Sequence, residues 1–298
     1  MNLREIYSGY NKQSDKSFSA KKQVISFEIF PPKDDYDGIK LQKLLGHLKL
    51  LKKYNPSFIS LTYGAGGTNQ TNSLEIIKHI KQDLDLKVMP HFTCVGSSKE
   101  QVTCYLEEIQ NLGIENILAL RGDIPDETNQ PNLDFKYANE LVSFIKSKTE
   151  LAIGVAGYPE GHIDCEDLFS DIKNLKRKVD AGADAIYTQM FFDNDKFFKF
   201  LELTNNADIK APIIPGILPI MNYKQFERML SMARVSVPKP LMAQLEKYKE
   251  NSDDIKKVGI EFASSQCQQL IDAQIEGLHF FTLNTSSSLC QILDNIGI

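Results

Sequence analysis

The stretch Val24–Thr62 reads VISFEIFPPKDDYDGIKLQKLLGHLKLLKKYNPSFISLT and falls into three parts. Val24–Phe30 is a short β-rich run, Gly38–Tyr54 has helical spacing, and Ser57–Thr62 is a second β-rich run. Two short apolar strands joined through a helix form a right-handed crossover unit whose strands lie parallel and are buried on both faces. The same alternation continues along the chain. Further strands are expected at Lys87–Thr93, Asn116–Leu120, Ala152–Ala156, Ala185–Phe191, Pro212–Ile217 and His279–Leu283. Helical patterning lies at Ser73–Gln82, Lys99–Leu112, Phe135–Lys146, Glu166–Ala181, Asp195–Thr204, Tyr223–Met232 and Ser286–Ile296. Eight strand–helix units fit an α/β fold of the (β/α)8 TIM-barrel type better than an open doubly wound sheet.

One region departs from the rhythm. Between the seventh and eighth strands, Val237–Glu276 carries helical patterning at Lys239–Lys249 and Asp253–Gln274. No Pro-, Gly- or Ser-rich linker brackets it, so extra helices on the barrel are expected, with residues 1–298 forming a single catalytic domain. Residues 1–20 are expected to form an N-terminal arm or loose helix.

Composition narrows the function classes. The 298 residues are 42% apolar and 24% charged, as in an ordinary globular protein with a sizeable core. With 34 Lys and Arg against 39 Asp and Glu, the net charge is −5, which offers no bulk positive field to nucleic acid or anionic membrane. Five scattered cysteines without a C-x-x-C pair argue against a disulfide framework or zinc ribbon and suit a reducing cytoplasm. No signal-peptide pattern or run of 18 apolar residues is visible, so neither export nor membrane insertion is expected.

In a barrel the chemistry collects at the carboxyl ends of the strands. Period-two alternation in VISFEIF puts Val24, Ser26, Glu28 and Phe30 on one face and Ile25, Phe27 and Ile29 on the other. Glu28 is then a carboxyl group on the barrel interior. Burial would favour its protonated form and make it a proton donor near neutral pH; an ion pair with Lys or Arg from a neighbouring strand is the alternative. The loop after strand two, LTYGAGGTNQTNS, has the glycines Gly64, Gly66 and Gly67, but Asn69 replaces the third glycine of a dinucleotide fingerprint. The acidic residue expected about twenty positions on is also missing. A loop presenting Thr62, Tyr63 and Thr68 to a ligand and an ordinary turn are the remaining readings.

Strands three to five bring His91, Arg121, Asp123, Tyr158 and His162 to one rim. No H-x-H or H-E-x-x-H spacing occurs, so a metal is not expected. In DIKNLKRKVDAG, helical spacing groups Asp171, Asn174, Arg177 and Lys178 on or near one face. That face is either solvated or, if it overlooks the barrel mouth, able to grip phosphate. Gln189 closes strand six as an amide among aromatics, and the proline-stiffened loop after strand seven presents Gln225.

Nine segments occur in one order between residues 27 and 284: FEIFPPK, LTYGAGGTN, PHFTC, LALRGD, AGYPEGH, NLKRKVDAGA, TQMFFD, IIPGILPIMNYKQ and HFFTLN. Together they resemble the methylenetetrahydrofolate reductase family, in its short bacterial form without a regulatory domain. The resemblance implies a (β/α)8 barrel binding FAD non-covalently and reducing 5,10-methylenetetrahydrofolate to 5-methyltetrahydrofolate in a ping-pong cycle, with NADH or NADPH as donor. It implies Glu28 as general acid and Asp123 as an anion beside the flavin. It further implies FAD contacts from Thr62, Tyr63, Ala65, His91, Arg121, Gly122, Asp123, Ala138, Tyr158, His162, Asp171, Asn174, Arg177 and Lys178. Gln189 and Gln225 match substrate positions, and self-association is expected.

Two positions depart from the pattern. Thr285 stands where many members carry Arg, and Met229 where well-known members carry Phe; both bear on folate binding rather than reaction class. A flavin-free aldolase or lyase using Glu28 and a Schiff-base lysine is the rival enzyme reading, weakened because no lysine stands at an expected strand end. A folate- or flavin-binding protein without turnover is the rival from another class.

Overall fold

The computed structural model describes residues 1–8, 23–32, 38–62, 70–123 and 134–298. Eight parallel strands close into a barrel: β1 (Val24–Ile29), β2 (Phe58–Leu61), β3 (Val88–Thr93), β4 (Asn116–Leu120), β5 (Ala152–Gly157), β6 (Ala185–Met190), β7 (Ile213–Ile217) and β8 (Gly277–Phe281). Each strand pairs with its sequence neighbours, and β8 returns to β1 with Ser26 opposite His279 and Glu28 opposite Phe281. The helices are α1 (Leu3–Tyr7), α2 (Ile39–Lys52), α3 (Gln70–Gln82), α4 (Lys99–Asn111), α5 (Ala138–Lys148) and α6 (Leu168–Asp180), followed by α7 (Asn194–Asn206), α8 (Tyr223–Ser231), α9 (Lys239–Tyr248), α10 (Ser252–Asp272) and α11 (Ser287–Asn295). The expected TIM barrel, with α9 and α10 inserted between β7 and β8, is what the chain forms.

The alternation read in β1 sorts its side chains between two cores. Ile25, Phe27 and Ile29 join Leu44, Leu45, Leu48 and Leu51 of α2 in the layer between sheet and helices. Val24 belongs instead to the interior plug with Phe58, Met89, Leu118, Tyr187 and Ile214. Burying one such aliphatic or aromatic side chain is worth about 1.5–3 kcal/mol, which makes a register slip in any strand costly. Glycine keeps the interior passable: a Cβ on Gly154 would stand 2.9 Å from both Leu118 Cδ1 and Tyr187 Cε2.

The amino end of the barrel is stoppered by α1. Its start is a capping box between Asn2 and Glu5. Fully buried Leu3 and nearly buried Tyr7 enter the interior plug, Arg4 donates to Asp184 at 2.7 Å, and the Leu3 N–H reaches Asn116 Oδ1 at 2.7 Å. Of the arm or loose helix expected over residues 1–20, residues 3–7 form a short docked helix, and residues 9–20 lie outside the described residues.

The inserted α10 packs on α7, α9 and α11. Its Gln266 amide donates to Phe191 O at 2.9 Å, anchoring it at the end of β6. The eighth strand begins two residues before the expected His279. Gly277 lies so near β1 that a Cβ would stand 2.8 Å from Val24 O, so the strand starts on a glycine at a close approach. The strand stops at Phe281 because Leu283 and Asn284 turn left-handed, with φ of 50° and 57°. No described helix is long and apolar enough to cross a membrane.

Candidate functional site

Glu28 lies on β1 with its side chain inside the barrel and is 8% exposed. Its Oε2 is 3.6 Å from His91 Nε2 on β3 and 3.7 Å from His279 Nε2 on β8. Among the described residues, the basic groups facing the carboxyl group are these two imidazoles, where the sequence left open a lysine or arginine. Each ring is held by a serine of an adjacent strand: Ser60 Oγ pairs with His91 Nε2, and Ser26 Oγ lies 2.7 Å from His279 Nδ1. Burial drives the His91 imidazole down to about 4, with Glu28 pulling the other way, so His91 is neutral near pH 7. His91 sits buried beside Glu28.

The rim carries the second group. Gly122 follows β4 with φ of +85°, and a Cβ there would stand 2.9 Å from Thr93 Cβ, so bare backbone turns the chain outward to exposed Asp123. Arg121 Nη2 bonds Asp164 Oδ2 at 2.5 Å. Thr62 begins the loop after β2 and is bound through its N–H to Ile29 O at 3.0 Å. Ala138 is half-buried at the start of α5. Tyr63 and Ala65, with Thr68 and the three glycines of that loop, lie outside the described residues.

Beyond β5, Tyr158 and His162 stack edge to face with centroids 4.6 Å apart. Burial raises the Tyr158 phenol, while burial and then Arg121 lower the His162 imidazole. The polar face of α6 overlooks this end of the barrel. Asp171 is buried and accepts the His162 N–H at 3.3 Å, and burial raises its carboxyl group. Lys178 Nζ donates to Ala156 O at 2.6 Å, and burial lowers the ammonium to about 8, with Asp171 as the opposing influence. A lysine thus reaches a strand end from a helix, where no strand supplies one. Asn174 Oδ1 accepts from Arg177 Nη1 at 2.9 Å, and both residues stay exposed.

A cavity of about 260 Å³ is lined by Asp123, Tyr158, His162, Gln189, Met190, Met229, Met232 and Arg234 among others, whereas Asp171, Asn174, Arg177 and Lys178 of α6 are not among its lining residues. That volume is the scale of one ring system rather than a whole dinucleotide. Its outer wall is tied down by residues that motif reading passed over. Arg234 donates to Cys165 O at 3.1 Å and Ile163 O at 3.3 Å, and Glu160 accepts the Ser236 N–H at 2.9 Å. Gln189 reaches the cavity, whereas Gln225 is exposed at the start of α8 and is not among the lining residues. Met229 lines the cavity, and Thr285 is turned back on Thr282 O at 3.1 Å. Ser60, His279, Glu160 and Arg234 were not singled out; His279 lay within the expected strand, and period-two counting back from Phe281 places the two on one face.

Comparison with known proteins adds an independent line. The profile of the family described as methylenetetrahydrofolate reductase matches residues 13–297. A protein of Arabidopsis thaliana named methylenetetrahydrofolate reductase (NADH) 1 is 40% identical over 304 residues, covering 96% of this chain and 51% of that protein. The 5,10-methylenetetrahydrofolate reductase of Escherichia coli is 34% identical over 274 residues, covering 92% of this chain and 90% of that one. The chain thus spans about half the length of its plant relatives and nine-tenths of the bacterial one. A solved structure, titled as an uncharacterized Clostridium thermocellum protein that binds two copies of 5-methyl-5,6,7,8-tetrahydrofolic acid, superposes with a TM-score of 0.65 over 93% of this chain and 94% of that chain. At 15% identity that likeness concerns the fold.

Proposed function

Because the chain belongs to the methylenetetrahydrofolate reductase family, we propose that it is an oxidoreductase converting 5,10-methylenetetrahydrofolate to 5-methyltetrahydrofolate. The proposal includes FAD bound non-covalently at the carboxyl face, a ping-pong cycle with NADH or NADPH as donor, and a place in one-carbon metabolism feeding methionine synthesis. It also includes a cytoplasmic, self-associating enzyme whose residues 1–298 act as one barrel domain. The observation that carries the chemistry is a carboxyl group, 8% exposed, at the mouth of a closed barrel.

The donor set suits a dinucleotide. Arg121, Arg177 and Lys178 offer the guanidinium and ammonium groups that phosphoryl oxygens prefer, and Tyr158 offers an aromatic wall. Thr62, Tyr63, Ala65, His91, Gly122, Ala138, His162, Asp171 and Asn174 complete the set that would hold FAD. When bound, the flavin supplies two-electron transfer between nicotinamide and folate.

The protein's own part is to orient and to move one proton. Glu28 gives its proton to the folate nitrogen as the bond from that nitrogen to the bridging methylene carbon breaks. The bond's electron pair stays on that nitrogen, and the carbon becomes the iminium that is reduced. Asp123 favours that cation and opposes negative charge on the neighbouring ring, while Gln189 and Gln225 bind substrate. The names of the plant relatives favour NADH.

Purified protein should be yellow, bleach anaerobically with NADH, and regain its oxidised spectrum on adding methylenetetrahydrofolate. A colourless protein that takes up no FAD sinks the proposal. Glu28→Gln should leave reduction by NADH near wild type and slow reoxidation by folate by roughly 10²–10⁴-fold, the usual contribution of a general acid. Equal loss in both half-reactions would remove Glu28 from that role.

A further inference from the structure

The cluster beneath Glu28 contains more machinery than a lone acid needs. His279 is 1% exposed, and its Nε2 is a buried polar atom without a hydrogen-bond partner among the described residues, 3.7 Å from Glu28 Oε2. Its other nitrogen is held by Ser26 Oγ at 2.7 Å. The groups facing this ring can be named strand by strand. They are Ser26 and Glu28 of β1, the Phe58 ring of β2 at 6.4 Å, His91 of β3, the Tyr187 ring of β6 at 5.2 Å and the Phe281 ring of β8 at 5.7 Å; Gly216 of β7, its register partner, brings no side chain. The titratable groups among these are Glu28, His91 and Tyr187, and burial keeps His91 neutral. Tyr187 is engaged with the Tyr7 hydroxyl at 3.3 Å.

We propose that His279, oriented by Ser26, is a positioning residue that fixes the Glu28 carboxyl group and returns to it the proton spent in each turnover.

The inference rests on the reading of Glu28 as the acid. Reduction of the substrate by a nicotinamide consumes one proton per turnover, so a carboxylate left behind by proton donation must regain it. As the imidazolium, His279 gives its Nε2 proton to the Glu28 carboxylate, restoring the carboxylic acid and leaving a neutral ring that takes up the one solvent proton (hydronium) consumed per turnover; no electrons move. The serine suits both states of the ring, because its hydroxyl oxygen accepts from Nδ1–H in the imidazolium and in the neutral Nδ1–H ring left when Nε2 gives up its proton. His91 is the less suitable carrier. Its Nε2 already bonds Ser60, and burial keeps it neutral. An unpaired buried Nε2 costs free energy unless a partner is met during the cycle, and Glu28 is the group placed to be that partner.

The test uses the holoenzyme and separates the two half-reactions by stopped flow. His279→Gln keeps an amide of similar reach but cannot carry a proton. It should reduce with NADH at the wild-type rate, lose tenfold or more in reoxidation by methylenetetrahydrofolate near pH 7, and change the pH profile of that step. Ser26→Ala, which keeps the imidazole but frees it, should give a smaller loss in the same step with the profile shifted. Nitrogen NMR of labelled histidine should show the His279 Nε2 resonance moving in Glu28→Gln. Reoxidation by His279→Gln with wild-type rate and profile overturns the inference, as does equal loss in both halves. Should His279→Gln fail to fold, an unaltered Ser26→Ala profile with an unmoved Nε2 resonance overturns it equally. If the wild-type protein itself takes up no flavin or is not reoxidised by folate, the underlying activity fails instead.

Discussion

Lys178 shows how burial and charge would set the working range of a residue proposed to contact FAD. Leaving water costs the ammonium its charge preference and lowers it to about 8, while Asp171 holds it partly up. Below that value it is a cation able to grip a phosphoryl oxygen, and as pH rises through it the grip is lost. FAD affinity followed by flavin fluorescence should therefore weaken about tenfold between pH 7 and 9.5, the loss of one charge-assisted bond of about 1.5–3 kcal/mol. The bound anion will itself raise the ammonium and move the window upward. Lys178→Met should flatten the dependence; an unchanged slope would assign it to another group. Sequence spacing had already grouped Lys178 with Asp171, Asn174 and Arg177. Which way that face looked was settled by Asp171 accepting the His162 N–H and by Lys178 reaching Ala156 O, contacts between residues on different elements.

At the scale of elements, α10 is the piece with no counterpart in the strand–helix rhythm. It is seated through Gly259, where a Cβ would stand 1.8 Å from the carbonyl oxygen of Ile220 in the loop that leads into α8. Gly259→Ala gains about 1 kcal/mol in helix propensity but must push two backbones apart. Overpacking of this kind costs about 1–3 kcal/mol and more against a rigid carbonyl, so a net loss of about 2 kcal/mol is expected. A melting temperature several degrees below wild type would register it; a value at or above wild type would mean that α10 does not approach Ile220 so closely. Helical patterning was legible in Lys239–Lys249 and Asp253–Gln274 because a 3.6-residue period survives in one dimension. The partners α7, α9 and α11 were not, since the helical period says which side is apolar and nothing about what covers it.

The whole molecule divides its labour between its two ends. Chemistry-bearing groups gather at the carboxyl rim, and the amino end is closed by α1, with Leu3 fully buried in the interior plug. Leu3→Ala should cost about 2–5 kcal/mol of stability, as buried leucine truncations do, and lower the melting temperature while FAD uptake per folded molecule stays at wild type. Loss of FAD binding in proportion to lost Leu3 packing would show the two ends to be coupled. By itself the sequence determined the barrel, the inward turn of Glu28 and the family, because each depends on order along the chain: alternation with period two, eight repeated units and nine motifs in succession. Tertiary structure alone decided that Glu28 faces two imidazoles rather than a lysine or arginine, that Ser26 grips His279 across 253 positions, and that Gln225 stands outside the cavity. Those outcomes depend on which strands become neighbours when β8 closes onto β1. A pairing set by ring closure leaves no periodic trace in either segment read singly.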